Sequence, residues 1–225
     1  IHGYFEHELK DWKSIQVTRI VHDFYESDPQ RGFYGGGGLD GRPLVNSMPA
    51  LHALTEAGTG PLRWGREFKS DVREGFNRHM GILSSTTSVP LERNNITLDP
   101  DHTDAMGRPL VRMTYRDHDD DLAMMQFLQD RGADILEAAG ATRIWREPVV
   151  PQTFHAHLLG TCRMGDDPTT SVVDRYHRSH EVPNLFICDG SSLVSSGRGQ
   201  PTLTIQALAF RAAEHIAAMA RRQEI

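Results

Sequence analysis

Two short cassettes in about the last seventy residues constrain this chain more than any other feature. The first is His155-Ala156-His157-Leu158-Leu159-Gly160-Thr161-Cys162-Arg163-Met164-Gly165, which sets imidazoles beside a glycine turn. The second is Asn184-Leu185-Phe186-Ile187-Cys188-Asp189-Gly190-Ser191, followed by Gly199-Gln200-Pro201-Thr202-Leu203-Thr204-Ile205-Gln206-Ala207-Leu208-Ala209. Asn184 to Cys188 is a short apolar run bounded by Pro183 and Asp189-Gly190, the pattern of a buried strand in an α/β sheet. Ligands of open α/β sheets bind beyond the carboxyl ends of strands, where Asp189 and Gly190 would stand. Glycine there lets a ligand approach the backbone, because no Cβ intervenes. After the loop Ser191–Gly199, Pro201 fits the first position of a helix, where its missing N–H is not needed. The amides of Thr202 and Leu203 then have no partner inside the helix, and such a start favours an anion or a developing negative charge. From Ile205 onward, Leu208, Ala209, Ala212, Ile216 and Met219 recur at helical spacing, one face for a core.

The combination resembles the C-terminal signature of the glucose–methanol–choline (GMC) flavoprotein oxidoreductases. Members carry His-x-x-Gly-Thr-x-Arg-Met-Gly, a strand ending Asp-Gly or Asp-Ala, and Asn/His-Pro-x-x-Thr opening the last helix. By that resemblance His157 matches the catalytic histidine, the base that takes the hydroxyl proton while hydride passes to the flavin of FAD. Asp189 and Gly190 match positions that contact the pyrophosphate and ribityl portion. Pro201 and Thr202 match the turn whose backbone faces the flavin pyrimidine edge. The likeness continues upstream through Val89-Pro90-Leu91-Glu92-Arg93-Asn94-Asn95-Ile96-Thr97-Leu98-Asp99, then Asp104, Gly107 and Pro109, which look like the family's substrate-domain hairpin. The implied fold is α/β: a Rossmann-like FAD domain whose C-terminal part is residues 151–225, and an α+β, antiparallel-sheet substrate domain made mainly of residues 1–150. The implied activity is oxidation of a CH–OH group in a sugar, polyol or other alcohol. Pro201-Thr202-Leu203-Thr204 and Arg211-Ala212-Ala213-Glu214-His215-Ile216 lean toward the pyranose-oxidising branch.

Two departures matter. Where the family has Asn or His before the helix proline, this chain has Gln200. An amide can hold a substrate oxygen beside His157 but cannot act as a second base; it can also simply cap the helix. His155, one residue from His157, would point to the opposite face of an extended strand. The second departure is the lack of Gly-x-Gly-x-x-Gly opening a βαβ unit. Gly35-Gly36-Gly37-Gly38 leads into the turn-rich stretch Leu39-Asp40-Gly41-Arg42-Pro43, not into a helix. With Ile1 at its start, the chain reads as a C-terminal fragment of a longer polypeptide, or one piece of a split one, whose partner is the N-terminal FAD-binding segment of the same protein.

Composition excludes other classes. The net charge of −6 argues against sequence-independent nucleic-acid binding, which needs a basic surface. Hydrophobic residues make up 38%, and no apolar stretch approaches the roughly 20 residues of a membrane span. A soluble and, with no signal peptide visible, cytoplasmic protein is favoured. Cys162 and Cys188 do not make a disulfide framework.

Outside the cassettes, periodicity predicts a helix around Phe68–His79, and a hairpin pairing Ile96–Leu98 with Leu110–Tyr115. A long helix follows from near Asp119 to Gly140, with Leu122, Met125, Leu128, Ile135 and Leu136 on its apolar side. Asp117 or Asp119 would cap that helix and Gly140 would close it. Asp99-Pro100-Asp101-His102-Thr103-Asp104 superficially suggests a calcium loop, yet it lacks the glycine and glutamate such loops use, so a solvated hairpin turn is the better reading. Two other functions stay open. One is a non-catalytic binding or assembly fragment. The other is a metal-dependent hydrolase built on His155 and His157 with His118, Asp119 or His177; no resident metal is expected.

Overall fold

The computed structural model describes residues 1–10, 17, 19–42, 65–75, 77–151 and 156–225. They fall into two compact units: Ile1–Thr86 with Leu122–Val150, and Thr87–Asp121 with Pro151–Ile225. Both are built from antiparallel strands and a few helices, an α+β architecture. No helix among the described residues is long and apolar enough to cross a membrane.

In the first unit the strands are β1 (His2–Tyr4), β2 (Arg19–Val21), β3 (Gly37–Arg42), β4 (His79–Thr86) and β7 (Arg143–Trp145), in the order β2-β3-β4-β1-β7. Every neighbouring pair is antiparallel. Helix α1 (Arg66–Gly75) stops short of the expected His79, because β4 pairs with β1 from His79 opposite Tyr4. The stretch read as turn-rich is the strand β3. Its Leu39 is buried in the core, and six consecutive pairs with β4 outweigh the low strand propensity of Gly and Asp. Gly37 is required there: a Cβ would stand 2.4 Å from Leu128 Cδ1 and 2.6 Å from the Ser85 carbonyl oxygen.

Helix α2 (Asp119–Ala138) covers the core of this unit, which joins Met124, Leu128 and Leu136 to Phe5, Leu39 and Ile82. Leu128 and Leu136 were expected on that face. Met124, rather than Met125, completes it, since 124, 128 and 136 share one stripe at the helical repeat. The helix closes as its sequence predicts. Gly140 has φ 90°, its N–H donates to the Glu137 carbonyl, and the Ala141 N–H donates to that of Leu136.

At the start of α2 the side chains of His118 and Asp121 both take part in capping. His118 Nδ1 accepts from the Asp120 N–H at 3.1 Å, and the Asp121 carboxylate accepts from the His118 N–H at 3.0 Å. This is a reciprocal box, with imidazole in the place of the usual hydroxyl. Asp121 also accepts from the Val89 N–H at 3.1 Å, which ties the hairpin's leading edge to the helix start.

That hairpin, in the second unit, pairs β5 (Asn95–Thr103) with β6 (Pro109–Thr114). It is longer than its alternating core predicted, with a register irregularity between Leu98 and Thr103. The carboxylates of the calcium-like stretch are engaged locally. Asp99 accepts from the N–H groups of Asp101 and His102, and Asp104 from those of Met106 and Arg108. Helix α3 (Thr202–Arg221) buries Ala212 and Met219 and half-buries Ile205, Leu208, Ala209 and Ile216, the predicted face.

Asn184–Cys188 forms no strand. Leu185 is exposed, and only Phe186 makes an isolated bridge, to Arg178. An apolar run becomes a buried strand only where neighbours offer ladders on both sides; among the described residues this one has a single short neighbour.

Candidate active site

The structure joins the two cassettes by backbone. The Cys162 N–H donates to the Ser191 carbonyl at 3.0 Å, and the Met164 N–H to the Ser192 carbonyl at 2.8 Å. A second route starts at a parallel bridge between Met164 and Val173. The Val172 N–H bonds the Arg163 carbonyl and the Gly165 N–H that of Val173. His180 N–H then bonds the Val172 carbonyl, and Ser179 N–H that of Leu185. Val173, at the middle of this mesh, is fully buried. Segments 163–165, 172–174, 178–180 and 185–187 are thus linked in series by hydrogen bonds, and the main chain from Ile187 to Ser191 closes the series into a ring with the loop at 191–192.

Asp189 stands where the second cassette meets that ring. It caps the single turn Gly190–Ser192, and its carboxylate accepts from the Ser191 N–H at 2.8 Å and from the Ser191 hydroxyl. Those two bonds, the hydroxyl first, hold its carboxyl below the usual carboxylate range; His177 adds to the effect and partial burial opposes it. Gly190 stands at a close approach of two side chains. A Cβ there would lie 3.0 Å from Leu159 Cδ2 and 3.0 Å from Ile205 Cδ1. Here the first cassette, the second cassette and the start of α3 meet. Ser191 and Leu159 shape this turn, and neither was assigned a role from the sequence. An Asp-x-Ser spacing is the signal for the first, and nothing local marks the second.

Pro201 takes the N-cap position of α3, one residue earlier than predicted, with φ −79° and ψ −5°. Its carbonyl accepts from the Ile205 N–H at 2.9 Å, so the amides of Thr202, Leu203 and Thr204 have no partner inside the helix. No side chain caps this end, and Thr202 is exposed. Gln200, just before the proline, is exposed and makes no side-chain cap.

His157 is exposed at a bend with φ 63°, in the left-handed region. The extended strand on which it was to alternate with His155 is therefore absent at His157, and the two-face argument for the pair does not apply. His155 itself lies outside the described residues. Among the described residues no three His, Cys, Asp or Glu side chains stand together as metal ligands would. Cys162 and Cys188 are free thiols; burial, with Asp189 alongside, pushes Cys188 up.

This geometry has known relatives. The sequence profile of the GMC oxidoreductases matches residues 90–209, more than half of the chain's 225. The chain belongs to the GMC oxidoreductase family. It is 37% identical over 196 residues to 2-methyl-1,2-propanediol dehydrogenase of Mycolicibacterium austroafricanum, covering 87% of this chain and 35% of that protein. It is 32% identical over 206 residues to the gluconate 2-dehydrogenase flavoprotein of Pantoea cypripedii, covering 87% and 33%. Paromamine 6'-oxidase of Streptomyces fradiae is 42% identical over 116 residues, covering 52% and 21%. The chain spans about a third of the length of the first two.

Proposed function

We propose that this chain is the C-terminal part of an FAD-dependent enzyme that oxidises a CH–OH group of a sugar, polyol or other small alcohol. The observation that carries the reading is the packing of Leu159, Gly190 and Ile205 on one another. It sets the His157 segment, the Asp189 turn and the uncapped start of α3 in one neighbourhood. The names of the relatives support the substrate class, for they act on 2-methyl-1,2-propanediol, gluconate and paromamine.

The residues fit a flavin. A helix start with unpartnered, exposed amides favours negative charge, so the backbone of Pro201 and Thr202 would hold the pyrimidine edge. Asp189 and Gly190 would contact the ribityl and pyrophosphate portion. When bound, the flavin supplies the acceptor for hydride from the carbinol carbon. The rest falls to the chain's own side chains. His157 takes the hydroxyl proton, since loss of that proton frees the carbon's hydride, and imidazole is the side chain suited to proton transfer near neutral pH. Gln200 orients the oxygen through its amide. The other half of the cofactor's cradle would come from an N-terminal FAD-binding segment of the same protein. Residues 151–225 would complete that domain and residues 1–150 would be mainly the substrate domain. The unit boundary at Val150 and Pro151 supports this division, although the β5–β6 hairpin groups with the second unit.

In the whole protein, His157→Ala should keep its flavin and slow flavin reduction by substrate about 10²–10⁴-fold, the range for losing general-base help. Stopped-flow absorbance reads this directly, and an unchanged reduction rate would refute the base assignment.

A further inference from the structure

We infer that His177 is a positioning residue that fixes where the Asp189–Gly190 turn stands; this rests on the reading of that turn as a flavin contact. His177 closes a tight turn begun by Asp174. The Asp174 carboxylate accepts from the Tyr176 N–H at 2.7 Å and from the Arg178 N–H at 3.0 Å, and the His177 N–H donates to the Asp174 carbonyl at 2.9 Å. At the end of such a turn the backbone is left-handed, and His177 has φ 67°. Glycine or asparagine takes that conformation with less strain than histidine.

The imidazole is also 1% exposed. Its Nδ1–H donates to the Ile187 carbonyl at 2.8 Å, while the Ile187 N–H donates to the His177 carbonyl at 2.9 Å. Ile187 is two residues before Asp189, so this double tether is the last anchor of the ring before the turn. With the proton on Nδ1, Nε2 is a bare acceptor, and it has no hydrogen-bond partner among the described residues although it is buried. An unsatisfied buried nitrogen in a left-handed residue is costly on both counts. An apolar side chain would remove the first cost and glycine both. Neither would keep the Nδ1–H bond to Ile187, which is what the imidazole contributes.

The test uses the whole flavin-loaded protein and two substitutions that both suit left-handed backbone. His177→Asn places an N–H donor at the same branch of the side chain as imidazole Nδ1, and His177→Gly has no donor. His177→Asn should keep the wild-type flavin dissociation constant and visible absorption band. His177→Gly should weaken flavin binding about tenfold or more and shift the band, with its unfolding midpoint measured alongside. His177→Ala, which also has no side-chain donor, replaces the glycine variant if that protein does not fold. Wild-type affinity and spectrum in the donor-less variant would overturn the inference, as would equal losses in the asparagine and donor-less variants. Asp189→Ala separates the two layers. If it leaves flavin affinity and absorption unchanged, the cofactor reading of the turn falls and takes this inference with it. If it weakens flavin binding while His177→Gly does not, only the role of His177 falls.

Discussion

Gln200 tests the smallest scale, because its chemistry and its place in the chain give different roles. It precedes a helix that no side chain caps, so a purely capping residue would be idle there. If it instead holds the substrate oxygen beside His157, shortening it and removing its amide should differ. Gln200→Asn should retain most of the activity. Gln200→Leu should lose about 1–3 kcal/mol in kcat/KM terms, the scale of a buried hydrogen bond left unmade. His155→Ala should lose less than the leucine variant. Steady-state kinetics of the three rank them, and the reverse order would show that Gln200 is not the partner. These residue types were legible in sequence because chemistry resides in single side chains. The left-handed backbone of His157 was not, since φ at a bend is set by what the flanking segments bond to.

At the scale of elements, the junction between hairpin and α2 is where local rules and packing part company. Four consecutive residues, His118 to Asp121, all offer a cap by composition, and only contact decides among them. Asp121 is buried and accepts from both His118 and Val89, whereas Asp119 is exposed and offers its charge to the helix dipole alone. Asp121→Ala should therefore destabilise by about 2–4 kcal/mol, two stranded donors. Asp119→Ala should cost about 0.3–1 kcal/mol. Denaturant midpoints separate them, and equal effects would mean that the box does not form. The same junction titrates in alkali. Burial, then the hydrogen bond and charge of Asp117, pushes the Tyr115 phenol up to about 12. Its proton is held more tightly in the folded state, so that contribution is whole below the unfolded phenol value of about 10 and is lost as the pH rises toward about 12. Wild type should lose stability across that window more steeply than Tyr115→Phe. Parallel curves of melting temperature against pH would contradict it.

For the molecule as a whole, two glycines stand where distant parts of the chain come together. A Cβ on Gly37 would meet a main-chain oxygen of β4 as well as Leu128, and the main chain cannot move without breaking the sheet. A Cβ on Gly190 would meet only the ends of two flexible side chains, Leu159 and Ile205. Gly37→Ala should thus cost about 3 kcal/mol or more and Gly190→Ala about 1 kcal/mol. Thermal unfolding of each checks the ranking. The milder effect at Gly190 agrees with the resemblance, in which Asp-Ala also stands at this place.

The sequence alone was sufficient for features whose cause is local. The 3.6-residue repeat and Gly140 specified α2, the apolar spacing from Ile205 specified α3, and alternation specified the hairpin's core. Residue order in the cassettes was sufficient for the family. Tertiary structure decided whatever depends on a partner far along the chain. It made a glycine-rich stretch into β3, because β4 and Leu128 were there to receive it. It left Asn184–Cys188 without a strand, because a strand needs a run of consecutive pairs and among the described residues the one bridge to this segment is from Arg178 to Phe186. It also closed the ring from Cys162 and Met164 to Ser191 and Ser192. Backbone hydrogen bonds of that kind are available to every residue except as donors in proline, so no side-chain pattern encodes them; they exist only once packing has brought the segments within reach.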